Sequence, residues 1–183
     1  LFGVLMLPVL YHLIRQLFGR TKWAVFGTLL FALDFMHFTQ TRIGTIDTFA
    51  LLFILLMYDA MVVFLKKDLL SPLVSLLVPL GICGVFVGLG AASKWTAIYA
   101  AVGLAVLFFG KLFVTWRDTP AKQRPVLLKR MEVLCLWCCL FFIAVPFAIY
   151  FAAFLPVTLL PQNADHIWSS FWSYQTHMLS YHA

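Results

Sequence analysis

Charge is what this sequence has least of. Only 11% of its 183 residues are Asp, Glu, Lys or Arg, and just seven are acidic. Soluble domains carry about a quarter charged residues, so the composition excludes an independent soluble domain. Polar–apolar alternation is missing too, which argues against a membrane β-barrel. Paired metal half-sites are equally absent. Cys135, Cys138 and Cys139 lie with Cys83 inside apolar runs, Cys138 and Cys139 are adjacent, and all read as small packing residues. His166, His177 and His182 share no ligand spacing, so no metal is expected. Leu1 opens within an apolar run, with neither an initiator Met nor a basic flank. That excludes a signal peptide and reads as a window from a longer protein, its first span truncated.

What is present is apolar: 63% of the residues are hydrophobic. Continuous runs over about 1–18, 23–38, 48–65, 73–93, 96–115 and 132–156 are separated by charged or Pro-bearing stretches. A spanning helix needs about 20 apolar residues, and backbone polar groups in lipid must pair internally. The expected fold is therefore all-α, a polytopic transmembrane helical bundle of about six spans. Residues 23–47 also fit one helix followed by a bend near Arg42. The expected organisation is a membrane core over 1–156, then 157–183 as the start of an extracytoplasmic loop.

The basic residues set a direction. Arg15, Arg20 and Lys22 flank the first connection, and Lys66 and Lys67 lie in the third. Lys111, Arg117, Lys122, Arg124, Lys129 and Arg130 gather around the fifth. Eleven of the thirteen Lys and Arg thus fall on one side, which the positive-inside rule makes cytoplasmic. Residues 39–47, 93–96 and 157–183 then face outward. The net charge of +6 is explained by anchoring beside anionic lipid, and no nucleic-acid partner is implied.

Two cations stand on the opposite side. Arg42 lies in a polar interruption, His37 to Asp47, where Asp47 offers a partner five residues away. Such charges pair with one another or face a cavity, so Arg42 is read either as paired with Asp47 or as a contact for an anionic group such as phosphate. Lys94 and Trp95 follow the Gly-rich run, as interfacial anchors or as a second phosphate contact. Gly84 and Gly88 have the spacing of close helix packing, and Pro8, Pro79 and Pro146 are expected to kink or break their helices. In the tail, Ile167, Phe171, Tyr174, Met178 and Tyr181 recur at helical spacing. Trp168, Trp172, Gln175, Leu179 and His182 follow one residue along. This predicts an amphipathic aromatic helix at the outer interface.

Three of these segments carry a resemblance. Thr41-Arg42-Ile43-Gly44-Thr45-Ile46-Asp47, after the run Leu33 to Phe38, resembles the QSRI-x-x-LD region of protein O-mannosyltransferases. Gly88 to Thr96 is similar to their GL-x-x-x-x-KW segment. Gln175 to His182 is similar to the Q-x-x-M-x-x-YH start of their large outer loop. The three occur in family order, each on the predicted outer side.

The resemblance implies a membrane glycosyltransferase of the GT-C type. Its donor substrate would be mannose on a polyprenyl- or dolichyl-phosphate carrier, its acceptor Ser or Thr hydroxyls of exported proteins, with no separate cofactor. It implies that Arg42, Lys94, Tyr181 and His182 hold the lipid phosphate or line the acceptor groove, supported by Asp47, Trp95 and Gln175. The family's catalytic acidic pair is expected upstream of these residues, so none of them is assigned as catalytic and the isolated chain is expected to be inactive. No soluble insert is visible in 165–183, which points to a bacterial cell membrane over the endoplasmic reticulum. A GT-C enzyme moving another lipid-linked sugar, a transporter and a non-catalytic membrane scaffold stay open as alternatives, as does the oligomeric state.

Overall fold

The computed structural model describes residues 2–158 and 167–182, and every element among them is helical. The helices are α1 (Phe2–Phe18), α2 (Thr21–Leu33), α3 (Phe35–Ile43), α4 (Ile46–Leu65), α5 (Leu73–Ser93) and α6 (Thr96–Asp118). α7 (Arg124–Cys139) runs through a π-helical turn (Leu140–Ala144) into α8 (Val145–Thr158), and α9 (Ile167–His182) follows. Four stretches are long and apolar enough to cross a membrane: α4, α5, α6 and the continuous Arg124–Val157. α1 and α2 are shorter apolar helices. This is a multi-pass membrane protein with the helical bundle that the apolar runs predict.

The core forms where the apolar stripes of four helices meet. Met57, Met61 and Phe64 of α4 face Leu76, Leu80, Cys83 and Val87 of α5. Leu104, Phe108 and Leu112 of α6 and Leu127 and Leu134 of α7 close the cluster. Spacings of three, four or seven residues put each set on one helical face. Cys83 is buried here and its Sγ donates to the Met57 carbonyl at 3.2 Å, so it serves as a packing residue.

Glycines set the closest approach. A Cβ at Gly84 would fall onto the carbonyl oxygen of Phe141, and one at Gly88 would lie 2.9 Å from Pro146 Cα. The Gly84–Gly88 spacing therefore lets α5 touch the π turn and the start of α8 along their backbones. Pro146 removes one helical N–H just past the π turn. The wider turn at Leu140–Ala144 takes up the carbonyls that a proline ring would otherwise strike.

Two boundaries differ from the sequence expectation. The bend expected near Arg42 is present at Gly44, but 23–43 is not one helix: it breaks at Asp34, which is extended (φ −66°, ψ 122°) and whose carboxylate accepts from the His37 backbone N–H at 2.8 Å. It is an N-cap, which starts α3 at the following residue. The last span begins at Arg124, because Pro125 in the first turn favours a helix start and Lys129 and Arg130 ride on the helix. At about 1.5 Å per residue, the 34 residues of Arg124–Val157 are longer than a bilayer core, so the charged first turns stand outside it.

Ring and side-chain contacts fix the ends of the bundle. Phe2 lies against Phe49 with centroids 4.4 Å apart, and His12 bonds to Asp59, so α1 and α4 run parallel. The starts of α1 and α4, the end of α3 and the α5–α6 junction share one end. The connections bearing Arg20, Lys66, Lys67 and Lys122 share the other.

Candidate functional site

The end opposite the basic connections is built from short polar corners. α3 closes at Gly44, whose left-handed conformation (φ 71°) ends the helix and sends the chain into α4. The Gln40 carbonyl accepts from Gly44 N–H at 3.2 Å and from Thr48 Oγ1 at 3.3 Å, while Gln40 Oε1 accepts from Thr45 Oγ1 at 2.9 Å. Thr48 is buried, so the corner is locked from beneath. Arg42 stands in the last turn of α3, exposed, with no ion pair among the described residues.

The Arg42–Asp47 pairing expected from their spacing is not formed. Asp47, in the first turn of α4, instead pairs with Lys94 Nζ at the end of α5. α3 ends before Asp47, and Gly44 turns the chain, so Arg42 and Asp47 sit on different helices. Antiparallel packing of α4 and α5 brings Lys94 within reach across 47 residues of sequence. Both side chains of this pair are largely exposed, 43% for Lys94 and 60% for Asp47. Exposed ion pairs contribute at most about 1 kcal/mol, so the pair leaves Lys94 free to meet another anion.

Beside Lys94, Trp95 joins three helices. Its Nε1–H donates to Tyr150 Oη at 2.9 Å, and that hydroxyl donates to Gln175 Oε1 at 2.6 Å. Trp95 and Gln175, 80 residues apart in sequence, are thus linked through one phenol from α8. Gln175 is 7% exposed, and its Nε2 is buried without a hydrogen-bond partner among the described residues. Phe171, one helical turn earlier, is 2% exposed and packs edge-on to Phe151 at 5.2 Å and Phe154 at 5.7 Å. These contacts hold α9 across α8, with Trp168, Trp172 and Leu179 turned outward.

Tyr150 was not among the residues singled out from sequence. Its signal is a phenol in the middle of an apolar helix, since a half-buried hydroxyl there needs a partner. Tyr150→Phe leaves the Trp95 N–H and the Gln175 oxygen unpaired. It is expected to cost about 1–3 kcal/mol and to speed proteolysis between α8 and α9. A melting temperature and cleavage rate equal to wild type would show that this phenol does not hold α9.

Of the remaining expected site residues, Tyr181 and His182 close α9, and their side chains lie outside the described residues. No group of three His, Cys, Asp or Glu able to hold a metal forms among the described residues.

The family model described as dolichyl-phosphate-mannose-protein mannosyltransferase matches residues 1–150. No curated protein matches the chain. No solved structure matches it.

Proposed function

Because the chain belongs to the dolichyl-phosphate-mannose-protein mannosyltransferase family, we propose that it serves mannose transfer at the end of the bundle bearing Arg42 and Lys94. The donor is mannose on a polyprenyl- or dolichyl-phosphate, and the acceptor is a Ser or Thr hydroxyl of an exported protein. The basic connections face the cytoplasm and the Arg42–Lys94 end faces outward, with α9 lying in the outer interface. The observation that carries this reading is an exposed Arg42 without an acidic partner among the described residues, on the same end as a solvent-exposed Lys94.

The chemistry asks for such cations. The acceptor oxygen attacks the anomeric carbon while the bond from that carbon to the phosphate oxygen breaks. The phosphate leaves with the electron pair, and the hydroxyl proton passes to a carboxylate base. Negative charge grows on the leaving phosphate, and a fixed guanidinium or ammonium beside it lowers the barrier. Arg42 suits this role because its planar fork binds phosphate through two N–H groups. Trp95 and Gln175, with Tyr181 and His182, would shape the neighbouring groove. None of Asp34, Asp47 or Asp59 is assigned as the base. The first caps α3, the second pairs with Lys94, and the third is bound by His12.

The test uses the intact protein in membranes, polyprenyl-phosphate-mannose and a Ser/Thr-rich acceptor peptide. Wild type is expected to transfer mannose, and Arg42→Ala to lose at least about tenfold in rate at equal protein level. Full activity in Arg42→Ala would remove Arg42 from the site. Failure of wild type with mannose, alongside transfer from another lipid-linked sugar, would overturn the donor assignment.

A further inference from the structure

At the opposite end of the bundle the transfer reaction leaves a second polar cluster unexplained. Asp59 is a carboxylate within the apolar α4, its side chain 18% exposed. It is met from α1: His12 Nδ1 lies 2.8 and 2.9 Å from its two oxygens, and Gln16 Nε2 donates to Oδ1 at 2.8 Å. This clamp fixes α1 against α4, and its His12 and Gln16 line a pocket together with Arg15 and Lys66. Both of those cations are exposed, and neither has an ion-pair partner among the described residues. The nearest acid in sequence, Asp68, is occupied by the turn after α4, accepting from Leu70 N–H at 3.0 Å. Two cations thus line one pocket without a counter-ion among the described residues, while the carboxylate beside it is held by His12 and Gln16.

We infer that this pocket binds the phosphate headgroup of an anionic membrane phospholipid. The position argues for a lipid over a soluble ion. Arg15 and Lys66 stand where α1 and α4 leave their apolar stretches. The residues next to them, Leu17 and Phe18, are 59% and 64% exposed, as expected of side chains against acyl chains. Lys22 lies over the Trp23 ring at 5.9 Å, a pairing suited to headgroup depth. Basic pockets between membrane helices hold anionic headgroups in this way. The carbonyl ends of α1 and α4 both point here and by themselves repel an anion. Binding then depends on the two side-chain cations, which makes the inference sharp.

The test is native mass spectrometry of the intact protein released from nanodiscs containing phosphatidylglycerol in phosphatidylcholine. Retained phosphatidylglycerol is counted for wild type, for Arg15→Gln/Lys66→Gln, and for Lys129→Gln/Arg130→Gln as an equal-charge control. The pocket variant is expected to retain about tenfold less phosphatidylglycerol, and the control to match wild type. Adding millimolar inorganic phosphate is expected to leave the wild-type adduct in place. Equal loss in both variants would show bulk charge attraction and overturn the site. Displacement by inorganic phosphate would overturn the lipid assignment in favour of a soluble anion. Both readouts are independent of mannosyl transfer, so they stand or fall apart from the proposed activity.

Discussion

Lys94→Ala is expected to lower mannosyl transfer by about two orders of magnitude without changing the amount of folded protein. In the absence of substrate Lys94 does little for the fold. Its ion pair with Asp47 is exposed on both sides, and such a pair adds little to stability. The fold should therefore tolerate its loss. A cation facing a leaving phosphate acts where charge develops, and removal of one such group typically lowers the chemical step by about 10²–10³-fold. Asp47→Asn separates the two roles: it breaks the pair but keeps the ammonium, so transfer should stay within a few-fold of wild type. Lys94→Arg should recover part of the rate, since charge is kept while shape changes. Equal losses in Lys94→Ala and Asp47→Asn, each with a lowered melting temperature, would make the pair a strut between α4 and α5.

The second large effect concerns the fold. Gly84→Ala is expected to destabilise the protein by about 3 kcal/mol, because the added methyl meets a backbone carbonyl rather than a yielding side chain. To make room, α5 would have to move away from the π turn, loosening the contact that also places Gly88 against Pro146. Two other glycines calibrate the measurement. At Gly81 a Cβ would lie 3.5 Å from the Phe141 ring, an ordinary contact. At Gly110 nothing lies within 4 Å, and Ala should stabilise the helix by up to about 1 kcal/mol. Thermal unfolding in detergent should rank the variants Gly110→Ala, Gly81→Ala, Gly84→Ala from most to least stable. A Gly84→Ala protein that melts with wild type would refute backbone contact between α5 and the π turn.

The spans were legible because lipid leaves one strong signal, the length of an apolar run. α4 and α5 begin and end within about two residues of the runs 48–65 and 73–93. What apolarity cannot show is a break inside such a run. Phe35, Met36 and Phe38 continue the pattern of α2, and only Asp34, three residues before the N–H it caps, marks the new helix. Charge misled at Lys129 and Arg130, which looked like loop residues although Pro125 had already started α7.

Within the site, individual residues were readable and their partners were not. Asp47 stood close to Arg42 in sequence, but its partner is set by the register of α4 against α5, which no local pattern encodes. Trp95 and Gln175 were noticed separately for the same reason. The phenol joining them sits in a helix whose rotation depends on the packing around it.

That rotation has a numerical origin. In the π turn the Val145 N–H reaches back five residues to the Leu140 carbonyl, so the segment holds one residue more than an α-helix would. Each residue of an α-helix advances the azimuth by about 100°. Everything after Ala144 is thus phased about 100° away from where an unbroken helix starting at Arg124 would set it. Tyr150 points at Trp95 because of that offset. An unbroken α-helix over the same residues would swing the hydroxyl a quarter-turn or more away, while leaving hydrophobicity and span length almost untouched; a single-codon deletion in 140–144 would remove the extra residue with the wide turn and keep Tyr150 in phase. The link between the helix ends is thus written in a residue count, and a hydropathy profile would show no trace of its loss.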